Sequence, residues 1–60
     1  MRKKTQALVR GVAYWKKSEF DKAISCYTEA IQLDPTDATA YNNRGLAYRG
    51  KGDNDKAMAD

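Results

Sequence analysis

The chain contains no histidine, one cysteine (Cys26) and one proline (Pro35). The missing histidine removes the usual zinc ligand sets, the Cys/His nucleophile pair and the Ser/His/Asp triad together. A lone cysteine forms no internal disulfide. Lying between Ile24 and Tyr27 on an apolar run, Cys26 reads as an inert, partly buried thiol. Carboxylates paired for acid–base work are missing as well; Asp53, Asp55 and Asp60 read as cap, first-turn and terminal charges. With no cofactor loop either, the expectation is a protein that is not an enzyme and takes no cofactor or metal.

Long apolar runs are also lacking. Ala7, Leu8 and Val9 are followed at once by Arg10, which leaves no signal-peptide core of roughly 7–15 residues. Nothing approaches the roughly 20 apolar residues of a membrane span, so the expected setting is cytoplasmic with no membrane partner. The formal charge is +3 and the pI about 9.2, but Arg2, Lys3 and Lys4 account for the excess. Elsewhere the charges are balanced and interspersed, the pattern of a solvated helical surface, and no nucleic-acid partner is expected. A chain of 60 residues buries only about 60% of the surface it exposes unfolded, so its core is marginal. Without disulfide or metal, support has to come from a partner.

What the chain does have is a repeat. A shift of 34 residues places Arg10-Gly11 on Arg44-Gly45, Ala13-Tyr14 on Ala47-Tyr48, and Asp21-Lys22-Ala23 on Asp55-Lys56-Ala57. Lys17 falls on Lys51, and near-matches fill the gaps: Val12 with Leu46, Glu19 with Asp53, Ile24 with Met58. Within each unit apolar residues recur three and four apart, which puts them on one helix face. The first run holds Ala7, Leu8, Gly11, Val12, Tyr14 and Trp15; the second, Phe20, Ala23, Ile24, Tyr27, Ala30, Ile31 and Leu33. Lys17-Ser18-Glu19 is the turn between them, with Ser18 as the expected cap of the second helix. Asp34-Pro35 stops that helix, because proline disfavours helical geometry in the residue before it. Thr36 or Asp37 caps the next helix, and Gly50-Lys51-Gly52 is read as its break.

These signals predict helices over about 4–17, 20–33, 37–49 and 54–60, with short connections that make neighbours antiparallel. Residues 1–3 are expected to fray, since basic residues at a helix start oppose the macrodipole. Gly11 and Gly45 sit mid-helix, where glycine costs about 1 kcal/mol relative to alanine. Close approach of a neighbouring helix offsets that cost, and Ala23 and Ala57 are the expected small partners.

The pattern resembles the tetratricopeptide repeat, a 34-residue helix–turn–helix unit that stacks into an α-solenoid. The marks of that family fall on Ala7, Gly11, Tyr14, Ala23, Tyr27, Ala30 and Pro35 in the first unit, and on Tyr41, Gly45, Tyr48 and Ala57 in the second. The implied fold class is all-α, with antiparallel helix–turn–helix repeats. The units are 4–37 and a second, 38–60, truncated in its second helix. There are departures. Ala7 is small where a large side chain is usual, which suggests that no preceding repeat has to be filled. Arg10 and Arg44 replace a common Leu, and are expected to pack their stems and send their heads to solvent. Ser18 stands where the turn usually has Gly.

The resemblance implies a protein-interaction module that binds a peptide or partner protein in a concave groove lined by the first helix of each unit. Carried over residue by residue, the groove holds Thr5, Leu8, Val12, Trp15 and Lys16 from the first unit. The second contributes Thr39, Asn42, Asn43, Leu46 and Arg49. Trp15 is the expected anchor, because aromatic side chains dominate contact hot spots. Some members hold a carboxyl terminus with a Lys and an Asn from one unit and an Asn from the next. Asn43 matches the last, but Leu8 and Val12 replace the other two, and that specificity is rejected. The alternative function is structural self-association. Stability of such stacks takes about three repeats. The chain is therefore expected to be a homo-oligomer, with helix exchange through residues 17–19 as one route.

Overall fold

The computed structural model describes residues 2–52, which form three helices: α1 (Arg2–Lys16), α2 (Phe20–Leu33) and α3 (Ala38–Lys51). The helix expected over 54–60 lies outside the described residues, as does Ala57, the expected partner of Gly45. The helices pack in sequence, α2 antiparallel to both α1 and α3, so α1 and α3 run the same way on one side of α2. This is the all-α helix–turn–helix arrangement that the repeat implies.

The interior is built from small residues. Ala7, Ala30 and Ala40 form one buried cluster, flanked by Leu8 and Ile31. Ala23, Tyr27 and Ala47 form the other, flanked by Leu8, Val12, Tyr14, Phe20 and Ile24. Five alanines let three backbones approach closely, and Tyr27, at 2% exposure the one large buried side chain among the described residues, fills the space that remains. Burying a ring of that size contributes about 2–3 kcal/mol. Ala7 is small because it stands where α1 meets both other helices, at 2% exposure against Ala30 and Ala40.

Gly11 has a close neighbour, though a different one from the expected Ala23. A Cβ built on Gly11 would overlap the Tyr27 ring. The glycine is there to admit a large side chain, and the expected Ala23 is buried in the same cluster as that ring. A second glycine does the same work. Gly50 falls within the expected break, yet α3 continues through it to Lys51, and a Cβ there would lie 2.5 Å from Cε1 of Phe20.

The helix ends follow from local hydrogen bonding. α1 starts earlier than expected, at Arg2. Lys4 provides an anchor there: its Nζ lies 3.0 Å from Asp34 Oδ2 and 3.4 Å from Asp37 Oδ2, both in the α2–α3 turn. α1 ends in a turn around Ser18, whose φ of 63° is left-handed. The Ser18 N–H donates to the Trp15 carbonyl and the Glu19 N–H to the Tyr14 carbonyl, at 3.0 and 2.9 Å. That pair of bonds satisfies carbonyls which a helix end otherwise leaves without partners. Ser18 thus closes α1 and does not cap α2. Glu19 occupies the N-cap position and makes no side-chain capping bond.

α2 runs over its expected span. Beyond it, Asp34 Oδ1 accepts from the Thr36 N–H at 3.2 Å and the Thr36 hydroxyl at 2.7 Å. These bonds, with the ammonium of Lys4, pull the Asp34 carboxyl down to about 2. Of the two expected caps, Thr36 and Asp37, it is Asp37 that caps α3, accepting from the Thr39 N–H at 2.9 Å. α3 closes on Gly52, whose φ is 98° and whose N–H bonds back to Arg49 and Tyr48 carbonyls.

Candidate protein-binding site

α1 and α3 present side chains on either side of a seam whose floor is Tyr27 from α2. A narrow cleft of about 200 Å³ is lined by Val12, Trp15, Tyr27, Asn43 and Leu46. It adjoins a wider, more open one of about 670 Å³, lined by Trp15, Lys16, Ser18, Phe20, Leu46, Arg49 and Gly50. Trp15 and Leu46 belong to both and form the ridge between them. Each is large and apolar, yet 39% and 46% exposed.

The helical spacing explains why these residues meet. Val12, Trp15 and Lys16 fall three and four apart on α1, and Leu46 and Arg49 three apart on α3. Val12 and Leu46 are equivalent under the 34-residue shift, so stacking the two units sets them side by side.

Of the expected groove residues, Val12, Trp15, Lys16, Asn43, Leu46 and Arg49 come together in the two clefts. Thr5, Leu8, Thr39 and Asn42 line neither. Leu8 is half-buried and packs against both core clusters, while Thr5, Thr39 and Asn42 are exposed on the same helices. Phe20, Tyr27, Ser18 and Gly50 were not expected at the site. Tyr27 and Phe20 carry the sequence signature of core residues, and here one face of each side chain serves the core while another lines a cleft. Gly50 opens the wider cleft by allowing the Phe20 ring to lie against α3.

Electrostatically the site is basic at its edges. Lys16 and Arg49 flank the wider cleft, and among the described residues no carboxylate lines either one. The nearby acidic groups are engaged: Glu19 with Lys22 at 3.1 Å and Asp21 with Lys51 at 2.7 Å. The Glu19 carboxylate, hydrogen-bonded to Lys22, raises that ammonium's pKa, and Lys22 also lies over the Tyr14 ring. Arg44 was expected to send its head to solvent. Its Nη1 instead reaches Thr28 on α2 at 3.4 Å, with the guanidinium 5.6 Å from the Tyr41 ring centre. Cys26 is half-buried, and burial pushes its thiol pKa up, away from a reactive thiolate. No group of carboxylates and thiols among the described residues is placed to hold a metal ion. No helix among them is long and apolar enough to cross a membrane.

Two units in one register, with an open seam between their first helices, define a helical repeat scaffold. The family model described as TPR repeat matches residues 11–52, and the chain belongs to the tetratricopeptide repeat family. It is 38% identical over 52 residues to a tetratricopeptide repeat protein 36 homolog of Nematostella vectensis, covering 87% of this chain and 29% of that protein. It is 46% identical over 35 residues to human serine/threonine-protein phosphatase 5, covering 58% of this chain and 7% of that protein. Against the human mitochondrial import receptor subunit TOM70 the identity is 43% over 44 residues, covering 65% and 7%. The chain therefore spans less than a third of the length of these relatives. No solved structure matches. The repeats of this family are scaffolds for protein–protein interaction and not catalytic units.

Proposed function

We propose that the seam between α1 and α3 is where this chain holds a segment of another polypeptide. The units 4–37 and 38–60 act together as a single recognition surface. The observation that carries this reading is the exposure of Trp15 and Leu46 on the ridge between two adjoining clefts. Apolar side chains left open beside a concavity gain most from covering, and a tryptophan there is the expected energetic centre. Asn43, half-buried in the narrow cleft, offers an amide to the backbone of an extended ligand.

The chain has a single tryptophan, so its fluorescence reports directly on this site. Peptides selected from a random displayed library against the 60-residue chain should shift that emission on binding. Trp15→Ala and Leu46→Ala should each weaken the selected peptides about tenfold or more. Val9→Ala, at a residue 62% exposed that lines neither cleft, should leave them unchanged. Equal loss from all three variants would remove the seam from consideration.

Self-association is the second reading, and it rests on the same exposed side chains together with a core of five alanines and one tyrosine. Light scattering over a dilution series distinguishes the two. A stable oligomer in which Trp15→Ala produces monomers would show that the seam is filled by another copy of the chain.

A further inference from the structure

The two helices that form the seam contain no aspartate or glutamate. α1 contributes Lys3, Lys4, Arg10 and Lys16, and α3 contributes Arg44, Arg49 and Lys51. The acidic residues of the described chain lie on α2 and in the turns: Glu19, Asp21, Glu29, Asp34 and Asp37. Among the described residues charge is thus sorted, positive along the seam helices and negative on α2 and at the turns. Several cations are engaged within the chain. Lys4 holds Asp34 and Asp37, Lys51 holds Asp21, and Arg44 reaches Thr28. Lys16 and Arg49 are different. Both are exposed, both border the wider cleft beside Trp15 and Leu46, and neither has an ion-pair partner among the described residues.

Resting on the peptide-binding reading above, we propose that the occupant of the seam is an acidic segment of a partner protein. An apolar side chain of that segment covers the Trp15–Leu46 ridge, and neighbouring carboxylates meet the ammonium of Lys16 and the guanidinium of Arg49. A guanidinium takes a carboxylate in two parallel hydrogen bonds, which sets orientation as well as attraction. A field of one sign along the seam also speeds encounter with a segment of the opposite sign and turns away basic segments. A nucleic acid carries the same sign of charge, but the seam has one exposed aromatic ring, and a single strand needs a succession of stacking platforms.

The test uses three fluorescein-labelled dodecapeptides titrated into the 60-residue chain and followed by anisotropy. One has a central Leu-Phe pair flanked by Asp and Glu; the second has Asn and Gln in those places, and the third has Lys. The acidic peptide should bind about tenfold more tightly than the amide peptide, with the lysine peptide weakest. That advantage should vanish near 1 M salt, where screening acts within about 3 Å. Lys16→Gln with Arg49→Gln should bring the acidic peptide down to the level of the amide peptide measured on the same variant. Circular dichroism confirms that the double variant remains helical. Equal binding of acidic and amide peptides, both lost in Trp15→Ala, would overturn the acidic preference while leaving the peptide seam standing. Failure of all three peptides to respond to Trp15→Ala would overturn both. Displacement of the acidic peptide by a single-stranded oligonucleotide at similar concentration would also overturn the proposal.

Discussion

α1 and α3 occupy equivalent places 34 residues apart, and their last turns differ in instructive ways. Ser18 and Gly52 are equivalent, and both adopt left-handed backbone, with φ of 63° and 98°. Glycine enters that region freely, whereas a residue with a Cβ loses about 1–2 kcal/mol there. The turn's hydrogen bonds hold Ser18 in place all the same. Two residues earlier the units differ again: Lys16 keeps a charged side chain at the rim of the seam, while Gly50 lacks one and admits the Phe20 ring. One helix end keeps a charge at the rim of the seam and bears a backbone cost. The other serves packing and bears none.

The largest effect should separate the two packed glycines. Gly11→Leu drives atoms into the Tyr27 ring, which is 2% exposed and has nowhere to move, and should cost about 3 kcal/mol. In a chain of this size that lowers the melting temperature by roughly 15 °C. Gly50→Leu meets the half-buried ring of Phe20, which can swing outward, and should cost about 1 kcal/mol. Thermal melts followed by circular dichroism decide the order. A Gly11→Leu variant as stable as Gly50→Leu would mean that Tyr27 does not depend on the glycine.

Exchanging the residues at the turns comes next. Gly52→Ser makes both ends serine and should destabilise by about 1 kcal/mol; Ser18→Gly makes both ends glycine and should stabilise by about 0.5–1 kcal/mol. Urea titration measures both, and a stabilising Gly52→Ser would contradict the left-handed geometry at that end. If chains exchange helices by straightening residues 17–19, Ser18→Gly should also favour the monomer, because glycine disfavours the continuous helix that exchange requires.

The smallest effect concerns the turn that joins the units. The Asp34 carboxyl is held at about 2, below its ordinary 3.8, by the Thr36 hydroxyl first and by Lys4 next. Its stabilising contribution is therefore complete above 3.8 and is lost as pH falls towards about 2. The Lys4 ammonium, raised by the same contact, keeps its contribution until pH climbs past its ordinary 10.5. Melting temperature followed between these limits should be flat and should decline on the acid side. Asp34→Asn should make that acid decline shallower, and an unchanged decline would show that other carboxylates dominate it.

The repeat period and the three described helices were readable along the chain, because each is a local or periodic property. Three-and-four spacing reports which residues share a face, and Asp37 announces its cap within three residues of the bond it accepts. The groove residues were implied by the resemblance to the tetratricopeptide repeat; Val12, Trp15, Lys16, Asn43, Leu46 and Arg49 meet at the clefts, whereas Thr5, Leu8, Thr39 and Asn42 line neither. Which side chain crosses from one helix to fill a given gap depends on rotation and offset between helices, and no local pattern encodes that. Tyr27 under Gly11, Phe20 over Gly50, and Lys4 between two carboxylates 30 and 33 residues away were decided by packing. Charge followed the same rule. A composition close to balance says nothing of where the charges stand, and only antiparallel stacking around α2 put the basic helices side by side.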